Sequence, residues 1–445
     1  MGAAHADAAS PESCEDPSMA QPEHARARFP RRAGRRVALL VGLDDIPRAL
    51  VPLLIVDTLG AVAFSNFFVY VAIWGKERLG ASDTELGLAY LMAAITSALA
   101  GTLGGTLSDH VGRKPVIVCG WLLTVLAALA ALASGEHLVL GLASYVLVSG
   151  VASIGHGADT ALVADLVPPE ARERSFAAVR MSGNLGGVLG PSIGAAALAL
   201  AGWNALFVTA ALLGVAATVI GIRYLPAAGA FTPDRKDHTK GALRILLKDA
   251  RFAAFWVASV LQFVVYTMYE PMLGLSLTQS HGYSVAAWGV MAGVNPLLVV
   301  AFQLRITRWS SRASGVAMRL AIATLLMGMP FLLLDASSAL PIVIVIIIVF
   351  VIGEMIWVPA GQAVAERMSP PTMRGTYLGA FSATGAVAFG IGPLVSLQVR
   401  ERFGDSAVWT FAALLSAATA ILILLIVRRL PNRGDGPAVP VADPT

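Results

Sequence analysis

The chain has 445 residues, of which 56% are hydrophobic and 13% charged, with a mean hydropathy of +0.72. Water-soluble globular chains carry about 25% charged residues, so this composition argues against a soluble enzyme or binding module. The net charge of +4 is small for such a chain, and where the charges lie says more than their sum.

Twelve apolar runs follow one another, at approximately 49–74, 86–107, 115–134, 138–166, 175–199, 203–224, 252–279, 285–306, 317–335, 340–363, 375–398 and 406–428. Each is about twenty residues or longer, enough to cross ~30 Å of hydrocarbon as a helix. None alternates as barrel strands do. An all-α integral membrane protein with twelve transmembrane helices is expected. Residues 1–48, rich in Ala, Pro and Arg, read as a disordered basic arm. The short stretch Val37–Leu43, followed by Asp44-Asp45, does not make a cleavable signal peptide. Residues 226–251 form the longest connection and carry Arg235, Lys236, Lys240, Arg244, Lys248 and Arg251. They divide the chain into six spans at 49–225 and six at 252–430, with a tail at 431–445.

With the arm placed in the cytoplasm, 27 Lys and Arg fall on its side and four (Lys76, Arg78, Arg400, Arg402) on the other. Positive residues stay inside, so both termini and the central loop are expected in the cytoplasm, at a cell (plasma or inner) membrane. The basic loops lack the aromatic platform or motif of a nucleic-acid binder. Two cysteines, Cys14 and Cys119, are too few for a disulfide framework or a structural metal site.

A repeat links the halves. Pro168-Pro169-Glu170-Ala171-Arg172 recurs as Pro370-Pro371-Thr372-Met373-Arg374, an offset of 202 residues. The same offset carries Gly183 onto Gly385 and Gly190-Pro191 onto Gly392-Pro393. Between the second and third spans stands Gly105-Thr106-Leu107-Ser108-Asp109-His110-Val111-Gly112-Arg113-Lys114. This G-x-L-x-D-x-x-G-R-K pattern resembles the cytoplasmic signature loop of the major facilitator superfamily. Loop, span count, central basic loop and repeat extend the resemblance over nearly the whole chain. It implies two pseudo-symmetric six-helix bundles, with substrate near the midplane between them and alternating access by rocking of the halves. It also implies that Gly105, Asp109, Gly112, Arg113 and Lys114 form a latch favouring the outward-facing state. Gly105 would admit a neighbouring helix, and Asp109 would face a helix N-terminus. A loop that only sets topology is the plainer alternative.

The fifth span holds Gly186-x-x-x-Gly190-Pro191-x-x-Gly194, whose glycines line one face and whose proline removes a backbone donor and bends the helix. It is similar to a G-x-x-x-G-P-x-x-G-G motif of drug:proton antiporters, with Ala195 in place of the last glycine. Small-residue packing alone also accounts for it. The arginine such antiporters often carry in the fourth span is Val146 here, four residues before Gly150, so proton coupling would run through other residues.

An ionisable side chain at the bilayer centre costs about 2.5–3.5 kcal/mol on insertion scales, so each suggests function. Six stand in the spans: Asp57, His156, Asp159, Arg180, Glu270 and Glu354. Glu354 lies mid-span in Gly353-Glu354-x-x-x-x-Pro359, an arrangement resembling that of twelve-span multidrug antiporters, where the glutamate serves proton and drug binding. Trp357, one turn on, offers a ring face to a lipophilic cation. Ser259, Gln262, Tyr266 and Glu270 form a polar stripe at helical spacing, expected to look into the bundle. Asp57 reads either as a proton or cation site or as a snorkelling carboxylate. His156 and Asp159 share a face, and Asp159 with Arg180 forms either an ion pair or part of a proton relay. Two ligands do not make a metal site, and no nucleotide or nucleophile motif occurs.

The expected protein is a secondary transporter, not an enzyme, that exports small lipophilic compounds against protons, with no cofactor beyond the proton-motive force. Its partners are a small-molecule substrate, protons and the bilayer, without nucleic acid, and it is expected to be a monomer. The alternatives are a proton-coupled importer of a nutrient or organic anion, with Arg180 and Asn184 at the substrate, a lipid flippase, or a non-transporting receptor.

Overall fold

A computed structural model of the chain describes residues 47–427 except 168, 228–247, 314 and 371–372. The basic arm, most of the central loop and the C-terminal tail therefore lie outside the described residues. Twelve helices are long and apolar enough to cross a membrane, and no strand occurs among the described residues. They are α1 (Arg48–Glu77, interrupted at Val69 and Tyr70), α2 (Asp83–Val111), α3 (Arg113–Ala133), α4 (Leu138–Leu166), α5 (Pro169–Ala201) and α6 (Asn204–Tyr224). The second half holds α7 (Ala250–Ser280), α8 (Val285–Ala292, continuing as Val294–Ala313), α9 (Val316–Ala336), α10 (Leu340–Met368), α11 (Arg374–Phe403) and α12 (Asp405–Val427). Their ends fall within several residues of the apolar runs, with α5 and α8 running furthest into polar sequence.

Local chemistry sets the boundaries. Ser82 and Glu85 form a reciprocal capping box at the start of α2, which satisfies helix N–H groups that would otherwise be orphaned. Gly112 separates α2 from α3 at φ 93°, and Gly404 separates α11 from α12 at φ 83°. Such backbone is open to glycine and strained for other residues, and it permits two spans to be joined by a single residue.

The offset of 202 residues is structural. A Cβ on Gly190 of α5 would lie 2.6 Å from Ser65 Cβ and 2.9 Å from Asn66 N of α1. On Gly392 of α11 it would lie 2.0 Å from Thr267 Oγ1 and 3.0 Å from the Val264 carbonyl of α7. Thus α5 packs on α1 as α11 packs on α7, at corresponding glycines. Gly183 and Gly385 correspond too, with nothing within 4 Å of an added Cβ at either. Between the halves, α2 meets α11 and α5 meets α8. This is the pseudo-symmetric two-bundle architecture.

Candidate functional site

The halves close on each other at the end away from the signature loop. Asp83 of α2, only 4% exposed, receives both Arg400 Nη1 of α11 at 3.2 Å and Lys76 Nζ at 2.5 Å. Arg400 also donates to Asp405 at 2.6 Å and Gln279 at 2.9 Å, and the Thr84 N–H donates to Glu401 at 3.1 Å. Deeper, Trp288 Nε1 of α8 donates to the Val69 carbonyl at 3.1 Å, where α1 is interrupted. Gly289 lies against the Tyr70 hydroxyl, 1.7 Å from where a Cβ would stand. Arg400→Gln, which leaves Asp83 with Lys76 alone, is expected to weaken this closure by about 2 kcal/mol. Spin labels at positions 82 and 401 should then show a longer, broader distance distribution; an unchanged one would refute a closing role.

At the signature-loop end Arg113 is buried and ties its own half together. It donates to Ser108 Oγ at 2.7 Å and Asp165 Oδ2 of α4 at 3.1 Å, and it pairs with Asp109. In this arrangement Asp109 is held by Arg113, and Gly105 has nothing within 4 Å of a Cβ. It is Gly104 that admits a neighbour, with the Ile154 carbonyl of α4 2.0 Å from a Cβ position. Lys114 stands beside this cluster, half-buried. Gly105, Gly379 and Gly385 likewise have nothing within 4 Å of a Cβ position.

Gly186, Gly190 and Gly194 seat α5 on α1, the last with Asn66 O 2.6 Å from a Cβ position. The helix continues through Pro191, whose carbonyl accepts from Tyr70 Oη at 2.6 Å.

In the second half Glu354 of α10 is half-buried, with Oε2 accepting from Asn295 Nδ2 of α8 at 3.0 Å and Oε1 from Tyr266 Oη of α7 at 3.4 Å. Its neighbour Gly353 lets α9 approach, since a Cβ there would meet Met327 at 2.7 Å. Glu270 lies near enough to Tyr266 and to Glu354 to act on them through its charge, and the Arg180 charge reaches Glu354 from the first half. Asn295, an amide in an apolar run before Pro296, was the legible signal that sequence reasoning passed over.

Two expected members, Trp357 and Gln262, do not fit the site as foreseen. Trp357 is 1% exposed, stacked on Phe381 at 6.0 Å and met edge-on by Phe263 at 4.9 Å, so it offers no ring face to a ligand. Gln262 is fully buried against α9, its Nε2 donating to Met327 Sδ at 3.2 Å. Both positions belong to the bundle interior because their helix face turns toward α9 and α11, not toward the other half. Arg180 is exposed and makes no ion pair with Asp159 among the described residues.

Asp57 and Asp159 instead line a cavity of about 330 Å³ within the first half, together with His156, Phe64, Trp121 and Phe207. No group of three or more His, Cys, Asp or Glu side chains suited to a metal occurs among the described residues.

A twelve-helix, two-bundle membrane protein with ionisable groups at mid-depth defines a solute transporter by fold. The model of the Major Facilitator Superfamily matches residues 53–393 and, separately, 255–442. The chain belongs to the Major Facilitator Superfamily and is a multi-pass membrane transporter. It is 25% identical over 371 residues to an uncharacterized MFS-type transporter, YqjV of Bacillus subtilis (strain 168), covering 81% of this chain and 88% of that one. It is 27% identical over 339 residues to the multidrug resistance protein MdtH of Klebsiella pneumoniae (strain 342), covering 76% and 82%. The crystal structure of the nucleoside transporter NupG shares the fold at a TM-score of 0.72 and 16% identity, over 85% of this chain and 100% of that one.

Proposed function

We propose that the protein exports small lipophilic, drug-like compounds in exchange for protons, by alternating access. The observation that carries this reading is Glu354, a carboxylate at mid-span held by neutral donors, Asn295 and Tyr266. A mid-span carboxylate whose hydrogen-bond donors are neutral can be loaded with a proton on one side and emptied on the other. Glu270, beside it, and Asp57 and Asp159 in the first half are further proton or cation sites. Similarity to a multidrug resistance protein supports export.

The positive-inside count places the signature loop, both termini and the central loop in the cytoplasm of a cell (plasma or inner) membrane. The halves, closed at the other end, are then inward-facing, and the Gly105 face is a latch not yet engaged. The proton-motive force supplies the energy without a cofactor, and the unit is a monomer.

A second reading has one observation in its favour. Arg180 stands exposed between the halves, as an importer of an organic anion would need. Expression in a drug-hypersensitive bacterium distinguishes them. Export predicts higher tolerance and lower steady-state accumulation of ethidium. Unchanged tolerance with a gain in uptake of an organic anion would establish the importer.

A further inference from the structure

We propose that the cavity inside the first six-helix bundle binds organic monocations with a flat or bulky apolar body, their charge held between Asp57 and Asp159. The proposal rests on the export reading and adds where the exported compound's charge is held, apart from Glu354 in the second half.

All the lining comes from α1, α3, α4, α5 and α6, so the cavity is complete within one bundle. Its size, about 330 Å³, falls in the range of roughly 300–1,000 Å³ typical of drug-sized ligand sites. The walls are apolar and aromatic, with Phe64 and Phe68 of α1, Trp121 of α3 and Phe207 of α6. Against these walls stand two carboxylates with unmet needs. Asp159 is 9% exposed and its Oδ1 is buried without a hydrogen-bond partner; Asp57 Oδ2 is buried and unpartnered as well.

A buried carboxylate oxygen without a donor is costly, and here two of them belong to one cavity wall. Among the described residues no lysine or arginine lines the cavity to partner them, and besides the two carboxylates its titratable groups are Tyr145 and the exposed His156. A single positive charge placed between the carboxylates answers both. A metal ion fits poorly, because no third ligating side chain joins the pair in a group that could hold one among the described residues and the walls are hydrocarbon. An organic cation fits, since its body takes the aromatic surface while its charge meets the carboxylates.

The experiment is equilibrium dialysis of radiolabelled tetraphenylphosphonium against the purified full-length protein. Asp57→Asn and Asp159→Asn should each raise Kd roughly tenfold or more, by removing one of two charges in a low-dielectric site. Gly183→Leu tests the cavity without relying on the carboxylates. Gly183 lines it with nothing within 4 Å of a Cβ, so a leucine there starts from open space and fills part of the cavity; it should abolish binding while the thermal unfolding midpoint holds. Parent-like binding by both Asn variants and by Gly183→Leu would overturn the proposal and leave the export reading standing. Loss of binding with Glu354→Gln alone would move the cation to the second half and equally overturn it. Binding that follows the cavity variants, without any compound-driven proton movement in vesicles, would confirm the site and sink the export reading instead.

Discussion

Replacing Glu354 by Gln is expected to reduce proton-driven export of a lipophilic cation to background, with the amount of protein in the membrane unchanged. The amide has the size and shape of the carboxyl group. Its oxygen can still accept from Asn295 or Tyr266, so the packing of α7, α8 and α10 around it survives. What disappears is the exchangeable proton. The change in stability should stay within about 1 kcal/mol, because exchanging a half-buried carboxylate for an isosteric amide creates neither a cavity nor an unpaired charge. Transport in everted vesicles and the thermal midpoint of the purified variant check the two halves of the expectation. Export at the parent rate would show that the coupling proton rides elsewhere, with Glu270 the nearest carboxylate.

Gly190→Leu should have the opposite profile, a loss of the folded protein itself. The contacts a side chain would meet at Gly190 include backbone: Asn66 N and the Val62 carbonyl, each 2.9 Å from a Cβ position. Backbone in a packed helix cannot step aside as the end of a flexible side chain can. Overpacking of this kind costs roughly 1–3 kcal/mol, and more when an entire helix must be displaced. The unfolding midpoint and the yield of monodisperse protein should both fall sharply. Gly392→Leu should behave alike, since its Cβ would meet Thr267 Oγ1 at 2.0 Å. Gly385→Ala, facing open space, should leave the midpoint where it is. Equal stability of Gly190→Leu and Gly385→Ala would contradict the packing role of the fifth-span motif.

Much of this architecture could be read from the chain. Hydrophobic length alone located the twelve spans, because a bilayer requires about twenty apolar residues of helix. The repeat at offset 202 anticipated which glycines carry equivalent contacts. Glu354 was legible because a carboxylate in the middle of a long apolar run has few structural excuses. The orientation of side chains around each helix was not. Trp357 stands three residues after Glu354, and that spacing puts the two near one face without saying that Phe381 and Phe263 enclose the ring. Gln262 shares a stripe with Tyr266, yet a small rotation of α7 turns it onto Met327. The tie from Arg113 to Asp165 joins residues 52 positions apart, which no local pattern reports. The shared cavity of Asp57 and Asp159 depends on how α1 packs on α5 and α6 across from α4, and tertiary packing decides that.

The central claim is proton-coupled export, and its most direct test uses inside-out vesicles holding a respiration-driven, acid-inside pH gradient. A panel of lipophilic cations, neutral antibiotics and organic anions is added while a fluorescent probe follows the internal pH. Release of protons triggered by particular lipophilic compounds, and absent in vesicles carrying Glu354→Gln, is the predicted result. No proton movement with any compound, in vesicles where the protein is present and folded, would contradict it.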